Sequence, residues 1–127
     1  MIHLDTHVVV WVAGGETKRL SGHAKALLES GPIGVSPMVE VELAVLHEIG
    51  RITAGATDVL AELRRALGLV VDSSGFAEGV SLAATSRYAF TRDPFDRVIA
   101  AHADAAGARL LTRDGTLRAE LDFAVWD

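Results

Sequence analysis

Two hydrophobic rhythms alternate along the chain. Short apolar runs of the kind that form strands cover Met1 to Leu4, Ile33 to Val35, Leu69 to Val71, Arg109 to Thr112 and Phe123 to Val125. Between them, stretches with helical spacing cover Thr6 to Ala13, Gly22 to Ser30, Pro37 to Ile49, Asp58 to Leu67, Ser74 to Ser86, Pro94 to Ala106 and Gly115 to Leu121. Strands that alternate with helices predict α/β layering. Val8-Val9-Val10 favours a strand by propensity, but an Asp5-Thr6 break that caps a helix is preferred to a first strand of unusual length.

Punctuation supports these boundaries. Ser36-Pro37 and Asp93-Pro94 each place a capping side chain before a proline at the first helical position, and Ala106-Gly107 matches a glycine stop. Gly14-Gly15 and the segment Thr53 to Thr57 read as loops. The helix from Asp58 carries Val59, Leu60, Leu63, Ala66 and Leu67 on one side, with Asp58, Glu62 and Arg65 on the other, and reads as structural.

The helix from Pro37 is more informative. Its spacing puts Met38, Glu42, Val45, Leu46 and Ile49 on one stripe, with Glu40 and His47 opposite. A carboxylate at Glu42, set in an apolar face, must be paired, protonated or bound to a cation. An arginine partner for Glu42 is the structural alternative to a functional role.

Other acids sit at comparable junctions. Asp5 and Asp114 each end a strand run and open a helix, where a carboxylate serves equally as an N-cap or as a ligand-binding group at a strand terminus. Asp93 is well explained as a cap. Asp96, on the flank of the stripe Phe95, Ile99, His102 and Ala106, faces where a strand end can meet it. His102 reads as a core histidine with one backbone partner, and none of the five histidines has the H-x-x-x-H spacing of a zinc hydrolase.

Composition then narrows the chemistry. The 127 residues suit one domain, taken as residues 1 to 127, and the absence of cysteine excludes disulfides, thiolate metal sites and thiol nucleophiles. No apolar run approaches the roughly 20 residues that span a bilayer, and no basic leader opens the chain, so a cytoplasmic protein without membrane association is expected. Twelve cations against seventeen acids leave a net charge of −5, which opposes a purely electrostatic grip on nucleic acid. Asp5, Glu42, Asp96 and Asp114 brought together would repel one another unless divalent cations neutralised them, and an oxygen-only donor set suits Mg²⁺ or Mn²⁺. Removing those four acids from the sum gives 12 − 13 = −1, so the acidic balance is compatible with a polyanion reached through metal.

The stretches Leu4-Asp5-Thr6-His7, Ser36 to Ala44, Arg92-Asp93-Pro94-Phe95-Asp96-Arg97-Val98-Ile99-Ala100-Ala101-His102-Ala103 and Leu111-Thr112-Arg113-Asp114 together resemble the PIN-domain ribonucleases, and more narrowly the VapC toxins of bacterial toxin–antitoxin pairs. The resemblance implies a three-layer α/β/α fold around a central, mainly parallel sheet of about five strands. It implies Mg²⁺- or Mn²⁺-dependent endonucleolytic cleavage of RNA, homodimerisation and inhibition by a VapB-like antitoxin. The matching acids Asp5, Glu42, Asp96 and Asp114 bind the metal in that family, Asp93 is peripheral and Thr112 is a hydroxyl beside the last acid. One departure is Val41, where relatives often carry Trp, and a packing difference is expected there. Thr6, Arg92, Arg97 and Arg113 lie next to the acids in sequence and are auxiliary candidates, the arginines for orienting phosphates.

Two other classes remain open at this point. A phosphatase or phosphoacceptor built on Asp5 lacks the second acid two residues on, and the only lysines are Lys18 and Lys25. A partner-binding module that has lost catalysis would not require all four acids.

Overall fold

A computed structural model describes residues 1–127. In chain order the elements are β1 (Ile2–Leu4), α1 (Thr6–Ala13), α2 (Gly22–Glu29), β2 (Ile33–Val35), α3 (Pro37–Glu48), α4 (Ala56–Leu67), β3 (Val70–Val71), α5 (Phe76–Ala83), α6 (Pro94–Ala105), β4 (Arg109–Leu111), α7 (Gly115–Glu120) and β5 (Ala124–Val125). The strands form one sheet in the order β3-β2-β1-β4-β5, and all four pairings are parallel. Helices flank this sheet, and the predicted α/β class with five strands is what the chain adopts.

Strand order places the site. The chain leaves β1 toward β2 on one side and returns to β4 on the other, so the sheet's switch point lies between β1 and β4. Crevices outside the carboxyl ends of parallel strands open at such a point. Ile2, His3 and Leu4 pair with Arg109, Leu110 and Leu111, and the Asp5 N–H continues the ladder to the Leu111 carbonyl at 3.0 Å. Asp5 and the segment after β4 are thereby held side by side.

The core forms around the central strands, where Leu4, Val35, Leu110 and Leu111 are fully buried. Val8 and Val9 are equally buried on α1, so packing overrides their strand propensity and the helical reading of that segment holds.

Several expectations require correction. The buried line of α3 is Val39 and Leu43, with Val45 and Ile49 exposed, so the apolar stripe is turned away from the predicted one and Glu42 lies half-buried at its edge. Nearly every side of α3 carries an apolar residue, so periodicity alone does not select its inner face. Val41 is 49% exposed and takes no part in the core. On α4 the buried set is Val59, Leu60 and Leu63, while Ala66 and Leu67 lie in the exposed last turn. The expected long helix from Ser74 is shorter, because Gly75 in the left-handed region opens α5 and the Thr85 hydroxyl accompanies its end by donating to the Leu82 carbonyl. A separate 3₁₀ turn, Ser86–Tyr88, follows and buries Tyr88, whose hydroxyl donates to Asp104 at 2.9 Å.

Candidate functional site

Local capping chemistry aims each acid. Asp5 caps α1 by accepting the Thr6 N–H at 2.8 Å, and its other oxygen accepts the Thr112 hydroxyl at 2.7 Å. The same hydroxyl oxygen accepts the Asp114 N–H at 3.0 Å, and Asp114 caps α7 by accepting the Leu117 N–H at 2.9 Å. Thr112 thus couples the two strand ends through one buried atom. Asp5 and Asp114 are caps, but capping occupies few of the lone pairs a carboxylate offers.

Asp93 behaves as its position before Pro94 predicts, accepting the Phe95 and Asp96 N–H groups at 2.8 and 3.3 Å. With that end already capped, the Asp96 side chain is not needed for the purpose. Asp96 is half-buried in the first turn of α6, and Glu42 reaches the same region from α3.

The charges of these acids act on one another, although no three of the acids bring carboxylate oxygens within 4.8 Å of one another. Burial pushes Asp96 up to about 7, reinforced by the charges of Asp5, Asp93, Asp114 and Glu42. Burial also raises Asp5, against the hydrogen bonds from Thr112 and the Thr6 N–H. It raises Glu42 too, partly offset by the Thr6 hydroxyl and reinforced by Asp5 and Asp93. None of the protein's salt bridges involves Asp5, Glu42, Asp96 or Asp114, so the structural alternative of an arginine-paired Glu42 is not what the chain builds. The Thr6 hydroxyl, beside Glu42 and buried, completes no hydrogen bond of ordinary geometry.

These features fit a hard divalent cation. The donors are all oxygens, and none of them is in a salt bridge with a cation of the protein. Asp5, Glu42, Asp96 and Asp114 are the residues that would hold it.

The auxiliary arginines divide. Arg97 donates from Nε to the Ala83 carbonyl at 3.0 Å and from a terminal nitrogen to the Thr85 carbonyl at 3.4 Å, fastening α6 to the end of α5. Its position in sequence next to Asp96 is misleading, because consecutive residues on a helix point in different directions. Arg97→Met is expected to lower stability by about 1 kcal/mol in urea unfolding; an unchanged unfolding midpoint would mean that its two carbonyl contacts do not fasten the helices. Arg113 instead lies 5.9 Å from the Trp11 ring and lines an open hollow with Asp5, His7 and Asp114. Arg92 lines the neighbouring hollow with Thr91, Asp96 and Asp114. Two other hollows, one beside α1 and α4 and one between α4 and β3, contain none of the four acids.

Thr112→Val tests the coupling between strand ends. The substitution keeps the side-chain shape but removes both hydrogen bonds, leaving a buried Asp5 oxygen without its donor. A loss of about 1–2 kcal/mol in unfolding free energy is expected. Asp5 should also titrate higher, since the hydrogen bond from Thr112 lowers it. Unchanged stability and titration would mean that water replaces the hydroxyl without cost.

A feature with no signature in the one-dimensional pattern is the cluster of His3, Asp72 and His102, residues separated by tens of positions in sequence. A ring nitrogen from each histidine and a carboxylate oxygen lie within 4.8 Å of one another. His102 does have the single backbone partner expected of a core histidine, the Ser74 carbonyl at 2.8 Å.

The chain resembles known proteins at two levels. In three dimensions it is similar to VapBC2 from Rickettsia felis, crystallised bound to a DNA fragment from their promoter, with a TM-score of 0.71 at 20% identity over 100% of both chains. It is also similar to a toxin–antitoxin complex from Klebsiella pneumoniae, with a TM-score of 0.63 at 21% identity over 98% of this chain and 96% of the other. No curated protein matches the chain. The family model for the PIN domain matches residues 2–119, from β1 through most of α7 and so across all four acids, and the chain belongs to the PIN domain family.

Proposed function

We propose that this PIN domain is a Mg²⁺- or Mn²⁺-dependent endoribonuclease, and the toxin of a pair whose second member is a VapB-like antitoxin. The observation that carries the reading is the set of carboxylates around Asp96, mutually repelling and without a protein cation to balance them. Metal-dependent nuclease activity is general in the family, and the toxin assignment is supported by similarity to toxin–antitoxin structures. A homodimer in the cytoplasm is part of the same proposal. No helix is long and apolar enough to cross a membrane.

Asp5, Glu42 and Asp96 hold the principal cation, and Asp114 assists with a second or with water. When bound, the cation activates water and stabilises the leaving oxygen during phosphodiester hydrolysis. The chain's own residues do the positioning. Thr112 fixes the orientation of the Asp5 carboxylate, and the Asp93 cap fixes the first turn of α6 that carries Asp96. Arg113 and Arg92, each beside Asp114, orient the phosphates flanking the scissile bond.

The test incubates the purified, folded protein with a panel of transfer, ribosomal and messenger RNAs in Mg²⁺ or Mn²⁺. Cleavage at internal sites that stops on chelation and resumes on adding the metal back is the expected result. Inertness toward every RNA in saturating Mn²⁺, by protein free of antitoxin, would overturn the nuclease reading.

A further inference from the structure

A second cluster of metal-ligating side chains lies beneath the carboxylates. His3 is central in β1 and fully buried, His102 is fully buried on α6, and Asp72 follows β3 with its carboxylate only slightly exposed. His3 Nε2 stands 2.8 Å from Asp72 Oδ2, and the two imidazole rings meet edge to face at 4.9 Å. Two of the protein's three orphaned buried polar atoms are here, His3 Nδ1 and His102 Nδ1. With Nε2 of each ring facing an acceptor, Asp72 for His3 and the Ser74 carbonyl for His102, the neutral rings carry their proton on Nε2 and leave Nδ1 a buried acceptor without a donor, so a metal bound through Nε2 replaces that proton.

The surrounding fold makes room for this meeting. Asp72 must cross β2 to reach β1, and it does so over Gly34, which pairs with both His3 and Val70. A Cβ on Gly34 would lie 2.8 Å from the Met1 sulfur and 3.5 Å from the Asp72 Cβ. On the other side, α5 meets α6 at His102 through Gly79, and the Phe76 ring contacts the His102 ring at 5.2 Å.

We infer that His3, His102 and Asp72 form a binding site for a first-row transition-metal dication such as Zn²⁺, separate from the carboxylate site. Two imidazoles and one carboxylate suit Zn²⁺ and its neighbours and disfavour Mg²⁺. Metal–ligand bonds of about 2.0–2.1 Å place tetrahedral donors roughly 3.4 Å apart. The His3–Asp72 pair therefore has to open slightly from 2.8 Å, and the three donors already lie within 4.8 Å of one another. The Ser74 carbonyl, against His102, or a water completes the set.

Such an ion would fasten β1, the segment after β3, and α6 at one point. His3 on β1 precedes Asp5, the residue just past the strand, by two positions, about 6.6 Å, and His102 follows Asp96 by six on α6, about 9 Å. The ion would brace the two elements that carry Asp5 and Asp96 without touching RNA. The inference does not depend on the nuclease reading.

Co²⁺ and Zn²⁺ titrations of the Asp96→Asn variant, stripped of transition metals and kept in excess Mg²⁺, test it, since they handicap the carboxylate site and leave the second one open. Expected are visible Co²⁺ ligand-field bands, one equivalent bound, displacement by Zn²⁺, and a thermal midpoint that rises with Zn²⁺. Asp72→Asn, whose partly exposed side chain is the safest of the three to change, should weaken Zn²⁺ at least about tenfold. In the wild-type chain, the ring resonances of His3 and His102 should respond to Co²⁺ whether or not histidine variants fold. The absence of Co²⁺ bands, or Co²⁺ binding that leaves both rings and the Asp72→Asn affinity unchanged, overturns the inference.

Discussion

Asp96→Asn is expected to lower metal-dependent RNA cleavage by at least about a hundredfold, equivalent to about 2.7 kcal/mol of barrier. Removing one carboxylate charge from the centre of the cluster weakens the hold on the cation, and amide oxygen is a poorer ligand for a hard ion. Folding should respond in the opposite direction. In the metal-free wild type, Asp96 titrates at about 7 against an ordinary carboxylate value of 3.8, so between those values the folded chain holds a proton that the unfolded chain has released. Stability associated with Asp96 is present below the unfolded value and is lost as pH rises through about 7. The metal-free variant should therefore unfold at a higher temperature than wild type at pH 8, with the difference shrinking toward pH 5. Cation affinity of the wild type should fall as pH drops through 7, because proton and cation compete for one oxygen pair. Calorimetry with and without Mn²⁺, beside cleavage rates, checks all three. Retention of more than a tenth of wild-type cleavage by the variant would remove Asp96 from the metal site.

Gly79→Ala is expected to cost about 2 kcal/mol, within the range for overpacking, although alanine is the better helix former. A Cβ there would lie 2.6 Å from the His102 Cα and 3.1 Å from the His102 nitrogen, both backbone atoms that no rotamer change can move. Relief requires α5 to withdraw from α6 along its length, opening the contact that buries Ala83, Ile99 and Ala103. The helical preference of alanine over glycine, about 1 kcal/mol, offsets only part of this cost. At roughly 4 °C per kcal/mol the thermal midpoint should fall by about 8 °C, with the His102 ring resonances shifted. An unchanged midpoint would mean that the helices do not approach this closely in solution. Gly34→Ala offers a milder comparison, because its closest obstacle is the flexible Met1 side chain.

Much of this molecule is legible one residue at a time. Ser36, Asp93, Asp5 and Asp114 each announce a helix start by local chemistry, and the structure caps a helix with each of them. The element order follows, because capping, proline placement and glycine stops act within four residues. The candidate acids are legible for the same reason, since carboxylates at strand ends and on a helix flank carry their position in the local pattern.

Other features depend on distance in space. Which side of α3 faces inward is decided by α4 and α6 packing against it, because its apolar residues surround the helix and no single stripe wins locally. Arg97 reads in sequence as a candidate for orienting phosphates but is bound to carbonyls at and just beyond the end of α5, a choice set by how two helices cross. The strand order, which puts Asp5 beside Thr112 across 107 residues of sequence, likewise arises from long-range pairing. The meeting of His3, Asp72 and His102 is the extreme case, requiring β1, the end of β3 and α6 together with two glycines that clear the space. By itself, then, the sequence determined the helices and strands, their limits to within a few residues and the acids available for chemistry, all short-range matters of capping and periodicity. Only the tertiary structure decided which buried polar groups share a space, because burial and charge repulsion act between atoms wherever the chain brings them together.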